Sequence, residues 1–261
     1  MRRDFKPLEA KVNAKINIGL QIVRKRPDGY HDLQTVFYPT DFFSDILTIS
    51  PSEQELVFRM DSQEDLGDKD NNLCVKAFRI LQRDYGISGV EIYLKKGIPS
   101  GAGLGGGSAD AAFTLKMLKE IFQLSVSEEK MVQYALQLGS DVPFFLYNTP
   151  VYATGRGEVM SPIDLDLSDY QLIIVKPDIH ISTKEAYAGV TPHESNIYLP
   201  EALKTEPSKW KNLIVNDFEE SLFVKIPALQ EVKERLYHEG ALYASMSGSG
   251  SSFFGIFPKN S

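Results

Sequence analysis

A run of glycine residues at a predicted strand–helix junction is the feature that most restricts what this chain can fold into. Five of the seven residues from Gly101 to Gly107 are glycine. Glycine permits positive φ angles and lets the backbone approach a ligand closely, and successive N–H groups that lead into a helix N-terminus bind anions. The segment from Pro99 to Asp110 is therefore predicted to be a phosphate-binding loop. The alternative is a flexible linker or a plain helix-entry turn.

Two better-known nucleotide-binding loops fit this segment less well. Gly101, Gly103 and Gly106 match the dinucleotide pattern G-x-G-x-x-G, but a Pro-Ser pair stands where that motif needs a tight junction with its strand. The pattern G-x-x-x-x-G-K-[ST] needs a lysine where this chain has Gly107, so the point charge for the β- and γ-phosphates is missing. Both patterns are disfavoured.

The composition excludes several classes of partner. The chain has 261 residues and a net charge of −7, so no excess of basic residues points to nucleic acid or to an anionic membrane. No stretch approaches the ~18 uninterrupted apolar residues of a membrane span, and the N-terminus does not read as a signal peptide. A single cysteine, Cys74, is expected to be a buried bystander and suits a reducing compartment. We therefore expect a cytoplasmic protein.

Hydrophobic periodicity predicts a mixture of strands and helices, which indicates an α+β fold. Polar and apolar residues alternate from Lys15 to Ile22, as in a half-buried strand, which puts Lys15 and Asn17 side by side on its polar face. Further predictions are strands at 90–95, 170–175 (buried) and 252–257, a helix that opens at Ser108 or Ala109, a helix from a Ser125–Glu128 capping box to Gly139, and a helix at about 226–237.

The glycine loop resembles the phosphate loop of the GHMP kinase superfamily, Pro-x-x-x-Gly-Leu-Gly-[Gly/Ser]-[Gly/Ser]-Ser. Further segments match in the family order over nearly the whole chain: 14–17, 26–35, 71–73, 138–145, 155–158 and 246–250. The resemblance implies the two-domain GHMP kinase fold, with a ribosomal-protein-S5-domain-2-like domain at 1–160 and a ferredoxin-like domain at 161–261. Family members usually continue further past the last strand, so the second domain is expected to be short at its end.

The resemblance implies a set of ATP-binding and catalytic residues. Lys15 and Asp141 match the family's catalytic pair, and Asn72 would border the adenine pocket. Taken alone, Lys15 could be a solvated lysine, Asp141 a helix cap or Asx turn, and Asn72 part of a plain turn. The phosphates would be held by Pro99, Ser100, Gly101, Ala102, Gly103, Leu104, Gly105, Gly106, Gly107, Ser108 and Ala109. ATP brings Mg²⁺, for which the Ser108 hydroxyl is a candidate ligand. The alternative is that phosphate oxygens and water hold the metal, and no protein metal site is predicted.

The resemblance also implies a small-molecule acceptor, a cytidine diphosphate conjugate of methylerythritol that is phosphorylated on its 2-hydroxyl. Tyr30 and His31 match the cytidine-binding pair, Tyr187 is an expected aromatic partner, and Asn17 could hold the acceptor or Asp141. Ordinary core, turn or exposed polar positions are the alternatives for these four residues. The segment 247–250 is expected to form a second wall of small residues or a structural turn. A mevalonate- or homoserine-type kinase and a non-catalytic nucleotide sensor are competing readings of the whole chain.

Overall fold

The computed structural model describes residues 5–62 and 69–259. These residues form two compact units that alternate along the chain. The first unit contains the described residues up to Ala14, Phe43–Ser100 and Gly105–Asn148, and the second contains Lys15–Phe42, Gly101–Leu104 and the chain from Thr149 onward. Both helices and strands occur in each unit, which confirms the α+β class. The single domain boundary between residues 160 and 161 stays a prediction.

The secondary structure of the described residues consists of nine strands, eight α-helices and two short 3-10 turns, at 69–71 and 207–209. The strands are β1 (Leu8–Lys25), β2 (His31–Pro51), β3 (Leu56–Asp61), β4 (Val90–Lys95), β5 (Val151–Thr154), β6 (Val159–Pro162), β7 (Tyr170–Val175), β8 (Tyr243–Met246) and β9 (Phe253–Pro258). The helices are α1 (Leu73–Tyr85), α2 (Gly106–Ile121), α3 (Glu128–Leu138), α4 (Val142–Tyr147), α5 (Thr183–Ala188), α6 (Leu199–Ala202), α7 (Phe218–Lys225) and α8 (Pro227–His238). Among the described residues, the helices are too short or too polar to cross a membrane.

In the first unit, the later part of β2 pairs antiparallel with β4, and β4 pairs parallel with β3. The alternation in β4 puts Val90, Ile92 and Leu94 in the core, which confirms the predicted strand. Helix α2 packs on α1 and on α4, and its buried residues such as Leu115 and Leu118 lie in the core of this unit. The unit therefore fixes the strand before the glycine loop and the helix after it.

Two helix boundaries differ from the prediction. Helix α2 begins at Gly106, two residues before the predicted start, because the low helix propensity of two glycines conceals its first turn in the sequence. Helix α3 begins at Glu128, and its cap is Ser127, whose hydroxyl accepts a hydrogen bond from the N–H of Lys130. The predicted cap at Ser125 is therefore wrong. The predicted end at Gly139 is confirmed.

In the second unit, β7, β9 and β8 form an antiparallel sheet in that order, and the first part of β2 pairs with β5. The predicted strand at 170–175, the last strand and the helix near 226–237 are confirmed within one residue. Most side chains of β7 are only partly buried, so the prediction of a buried strand is wrong there. Apolar side chains of α7, α8 and β9 form much of the core, among them Leu222, Leu229, Leu236 and Phe253.

Strand β1 contributes residues to both units and differs most from the prediction. The strand is confirmed, but every residue from Val12 to Ile22 is buried, on both faces. Lys15 and Asn17 are each 3% exposed. The prediction of a half-buried strand is therefore wrong, and the alternative reading of Lys15 as a solvated lysine does not hold. Alternation shows that the two faces differ in polarity, whereas the exposure of the polar face depends on segments that lie far away in the sequence.

A buried ionic cluster lies beside the start of the glycine loop in the first unit. The Lys96 ammonium pairs with Asp45 and, at 2.8 Å, with Asp110 of α2. The other oxygen of Asp45 accepts hydrogen bonds from the N–H groups of Gly97 (2.6 Å) and Ile98 (2.8 Å). Because both acidic side chains also meet the ammonium, the backbone just before the loop is linked through Lys96 to the second turn of α2. Such a cluster specifies one arrangement of these segments.

Asp110 makes the stability of the chain depend on pH. Burial raises the pKa of Asp110 to about 8, against the opposing influence of Lys96. In the unfolded chain the same carboxyl group titrates near pH 4, so between these pH values the folded state binds the additional proton. The contribution of this protonated group to the free energy of unfolding is complete below about pH 4 and is lost as the pH rises towards 8.

We expect Asp110→Asn to flatten this pH dependence. Thermal unfolding of the unmodified chain and of the variant is followed between pH 5 and 8. The difference between their free energies of unfolding should change by more than about 1 kcal/mol over this range, which corresponds to ~2–4 °C in Tm. Asp164→Asn, at an exposed position, is the matched control and should leave the profile unchanged. Parallel profiles for the unmodified chain and Asp110→Asn would contradict the assignment.

Candidate active site

The Lys15 ammonium is buried against the glycine loop within the second unit. Its Nζ donates hydrogen bonds to the carbonyl oxygen of Gly103 (3.0 Å) and to Oδ1 of Asn17 (2.5 Å). The ring of Phe37 lies 5.1 Å from Nζ, in cation–π range. A buried ammonium is stable only where acceptors replace its hydration. The structure therefore places the predicted catalytic lysine and Asn17 together, on the loop predicted to bind phosphate.

Gly103 is the position of the loop at which only glycine fits. Its φ angle is +77°, and a Cβ atom built on it would lie 2.0 Å from the backbone oxygen of Ser247. The neighbouring carbonyls are also engaged: the Leu104 oxygen accepts from the Lys15 N–H (3.0 Å) and the Ala102 oxygen from the Ser252 N–H (3.2 Å). The carbonyl oxygens of Ala102, Gly103 and Leu104 thus all accept hydrogen bonds from other parts of the protein.

Ser247 connects the loop to β1. Its hydroxyl donates to the Gly103 carbonyl (2.9 Å) and accepts from the Asn17 N–H (3.1 Å). The side-chain amide of Asn216, which is 2% exposed, donates to the carbonyls of Met246 (2.8 Å) and Gly248 (2.9 Å) on either side. The segment 247–250 therefore lies against the glycine loop, while its closeness to substrate or phosphate stays a prediction. Asn216 was not predicted, because a single asparagine far along the chain carries no sequence signal of burial.

The remaining loop residues lead into α2 in the first unit. Gly105 is the N-cap, with φ +73°, and Gly106, Gly107 and Ser108 form the first turn. The first N–H groups of a helix have no partner within it, and the helix dipole makes this end electropositive. This turn can therefore bind a phosphate group. Ser100 lies in a turn at the start of this segment, directly after Pro99.

Asp141 and Asn72 also belong to the first unit. Asp141 precedes α4, but its carboxylate makes no capping hydrogen bond to that helix; its Oδ1 accepts from the Ser140 hydroxyl at 3.3 Å. Asn72 caps α1 by accepting from the Cys74 N–H at 2.9 Å. Cys74 is fully buried, and burial raises the pKa of its thiol, as expected for an inert core residue. The pairing of Asp141 with Lys15 and the contact of Asn72 with adenine stay predictions.

The predicted cytidine-binding residues lie together in the second unit. The His31 ring stacks on the Tyr187 ring, with centroids 4.8 Å apart and planes 25° apart, and Tyr187 meets Phe218 edge-on. Burial lowers the pKa of His31, and the charge of Lys25 adds to the effect, so the imidazole is neutral at pH 7. Tyr30 is 58% exposed, and the guanidinium of Arg156 lies 4.8 Å from its ring centroid. Aromatic faces and a donor–acceptor imidazole thus occur side by side.

Two family models match the chain. Residues 72–149 match the GHMP kinases N terminal domain, and residues 199–261 match the GHMP kinases C terminal domain. The crystal structure of a homoserine kinase from Cytophaga hutchinsonii superposes with a TM-score of 0.70 at 18% identity, over 99% of this chain and 87% of that one. The chain thus has both parts of the two-domain GHMP kinase fold, as predicted. A protein of this class is a small-molecule kinase.

Comparison with individual relatives identifies the family of the chain more narrowly. The 4-diphosphocytidyl-2-C-methyl-D-erythritol kinases of Bacteroides fragilis and Cytophaga hutchinsonii are 49% and 46% identical, each over 94% of this chain and 90% of the relative. A crystal structure of 4-(cytidine 5'-diphospho)-2C-methyl-D-erythritol kinase superposes with a TM-score of 0.80 at 34% identity, over 95% of this chain and 90% of that one. This chain belongs to the 4-diphosphocytidyl-2-C-methyl-D-erythritol kinase family.

We expect Gly103→Ala to abolish nucleotide binding, because a methyl group would collide with the Ser247 carbonyl and displace the loop. The affinity for ADP, measured by titration calorimetry, should fall more than about tenfold, or ~1.4 kcal/mol. Gly86→Ala is the matched control: Gly86 also has a positive φ (+63°), but its added Cβ would meet no atom within 4 Å. Equal ADP affinities for the two variants would show that the collision at residue 103 does not control nucleotide binding.

Proposed function

We propose that this chain transfers the γ-phosphoryl group of ATP to the 2-hydroxyl group of 4-diphosphocytidyl-2-C-methyl-D-erythritol, in the non-mevalonate route to isoprenoid precursors. The observation that carries the proposal is the buried Lys15 ammonium, bonded to the Gly103 carbonyl of the glycine loop and to Asn17. In this proposal the ATP-binding domain is residues 1–160 and the second domain is residues 161–261.

The phosphates of ATP are bound by backbone groups. The N–H groups of the loop and of the first turn of α2 point positive dipoles at the β- and γ-phosphates, which replaces the missing Walker lysine. Lys15 adds a full positive charge, which stabilises the charge on the transferred phosphoryl group. Asn72, at the start of α1, borders the adenine. Because the glycine backbone bears no side chains, the phosphates can approach these N–H groups closely.

Asp141 takes the proton of the acceptor hydroxyl. The oxygen of that hydroxyl forms a bond to the γ-phosphorus, the bond to the β,γ-bridging oxygen breaks, and ADP leaves. The match of Asp141 to the family's catalytic aspartate supports this role. Lys15 polarises the hydroxyl group.

Mg²⁺ accompanies ATP in this proposal and neutralises charge on the phosphate oxygens when bound. The Ser108 hydroxyl, on the first turn of α2 and partly exposed, is a hard oxygen ligand of the kind that Mg²⁺ takes. The chain's own share of charge stabilisation comes from Lys15 and the backbone N–H groups.

The cytosine ring of the acceptor is recognised by Tyr30, His31 and Tyr187. Cytosine presents an amino donor beside a ring-nitrogen acceptor, and a neutral imidazole offers one donor and one acceptor in return. The fall in the pKa of His31 keeps the ring in this neutral form. The exposed ring of Tyr30 and the ring of Tyr187 supply aromatic faces for stacking. We further propose a cytoplasmic location and no nucleic-acid partner, in keeping with the net charge of −7.

A coupled assay of ADP release tests the function. We expect turnover with 4-diphosphocytidyl-2-C-methyl-D-erythritol and none above background with mevalonate, homoserine or cytidine nucleotides. Turnover of mevalonate or homoserine in preference would identify a kinase of the same fold with another acceptor. ATP or ADP binding without turnover of any acceptor would indicate a nucleotide sensor.

We expect Asp141→Asn to lower kcat by at least about 100-fold, because the amide cannot accept the hydroxyl proton, while the affinity for ADP stays within about twofold. Rates under saturating substrates and calorimetric ADP titrations measure the two quantities. The exposed Asp164→Asn variant serves as control for the loss of one negative charge. A kcat close to that of the unmodified chain would remove Asp141 from the mechanism.

A further inference from the structure

We infer that Thr35, a fully buried residue of β2, is a positioning residue that fixes the direction in which the Asn17 amide meets the Lys15 ammonium. The inference rests on the proposed role of Lys15 in phosphoryl transfer. Thr35 is 0% exposed and pairs with Ala153 in the ladder between β2 and β5. Its hydroxyl donates to the Gly19 carbonyl (2.5 Å) and accepts from Nδ2 of Asn17 (3.0 Å). Every contact in this argument lies within the second unit.

The direction of this hydrogen-bond chain is determined at both ends. At one end the Gly19 carbonyl can only accept, so the single Thr35 proton points towards it. The Thr35 oxygen must then accept from its other neighbour, which is the NH₂ group of Asn17. At the other end the Lys15 ammonium can only donate, so it needs the oxygen of the same amide. The Gly19 carbonyl and the Lys15 ammonium therefore require the same orientation of the Asn17 side-chain amide.

Removal of the Thr35 hydroxyl would leave the buried NH₂ group of Asn17 without this acceptor. The amide could then rotate to find another partner and withdraw its oxygen from the ammonium. Lys15 would lose one of its acceptors and shift from the place at which it also contacts the Gly103 carbonyl. Since charge stabilisation in phosphoryl transfer depends on position, the chemical step should suffer more than substrate binding.

The backbone of Asn17 is held independently of its side chain. Its N–H donates to the Ser247 hydroxyl (3.1 Å), which itself donates to the Gly103 carbonyl. The Cα position is thus fixed by Ser247 and by strand β1, while the side-chain rotation is fixed by Thr35. This separation is what lets a substitution at residue 35 change the amide orientation without displacing the strand.

The test compares Thr35→Val, which keeps the shape and removes the hydroxyl, with Thr35→Ser, which keeps the hydroxyl. We expect Thr35→Val to lower kcat about tenfold or more, with KM for ATP and for the acceptor within about twofold of the unmodified chain. Thr35→Ser should restore kcat to within about twofold. Thr114→Val is the matched control, since Thr114 is equally buried and its hydroxyl donates to the Asp110 carbonyl one turn back in α2, in the first unit.

Each contrary outcome points to a different failure. An unchanged kcat in Thr35→Val, an equal loss in Thr35→Ser, or a rise in KM at constant kcat would overturn the inference. If Thr35→Val fails to fold, as judged by thermal unfolding, Thr35→Ala carries the same expectation. If the unmodified chain turns over no acceptor, the proposed function fails. Hydrogen exchange of the Asn17 side-chain amide, measured by NMR, then tests the inference about Thr35. The signal of this amide is the one absent from the spectrum of Asn17→Asp. Thr35→Val should speed its exchange at least tenfold, and Thr35→Ser should not.

Discussion

The arrangement of the site depends on the burial of one positive charge. An ammonium removed from water is stable only with acceptors at close range, and Lys15 has the Gly103 carbonyl and the Asn17 oxygen. Each acceptor imposes a further requirement. Gly103 must lack a side chain, because the Ser247 oxygen lies where a Cβ would be, and Asn17 must keep one orientation, which Thr35 determines. Much of the local sequence follows from the need to accommodate this charge.

A second buried lysine performs a comparable task at the entrance to the loop. Lys96 pairs with Asp45 and Asp110, and Asp45 binds the two N–H groups that precede Pro99. Here the partners of the ammonium are acidic side chains, whereas the partners described for Lys15 are the Gly103 carbonyl and the Asn17 amide. Lys96 orders the backbone before the loop, and Lys15 is proposed to act on the substrate.

The fold class and the position of the glycine loop between a strand and a helix could be predicted from the sequence because their signals are local. The glycine run, the alternation in β4 and the periodicity of α8 each lie within a short window. The burial of both faces of β1 could not be predicted, since its polar face is covered by residues near 35, 103 and 247, which meet only in the folded chain. Asn216 and Thr35 were missed for the same reason. Their roles are defined by a partner's geometry and not by their neighbours in sequence.

The crowding around Gly103 also matters for inhibition. Resistance often arises when a larger side chain grows into the volume that a drug occupies, but at this position any side chain would first collide with the Ser247 backbone. The colliding atom is a carbonyl oxygen, so a change of side chain at residue 247 would not remove the obstacle. A compound that rests on the Gly103 backbone would therefore touch a surface that substitution at that position cannot reshape without loss of the loop itself.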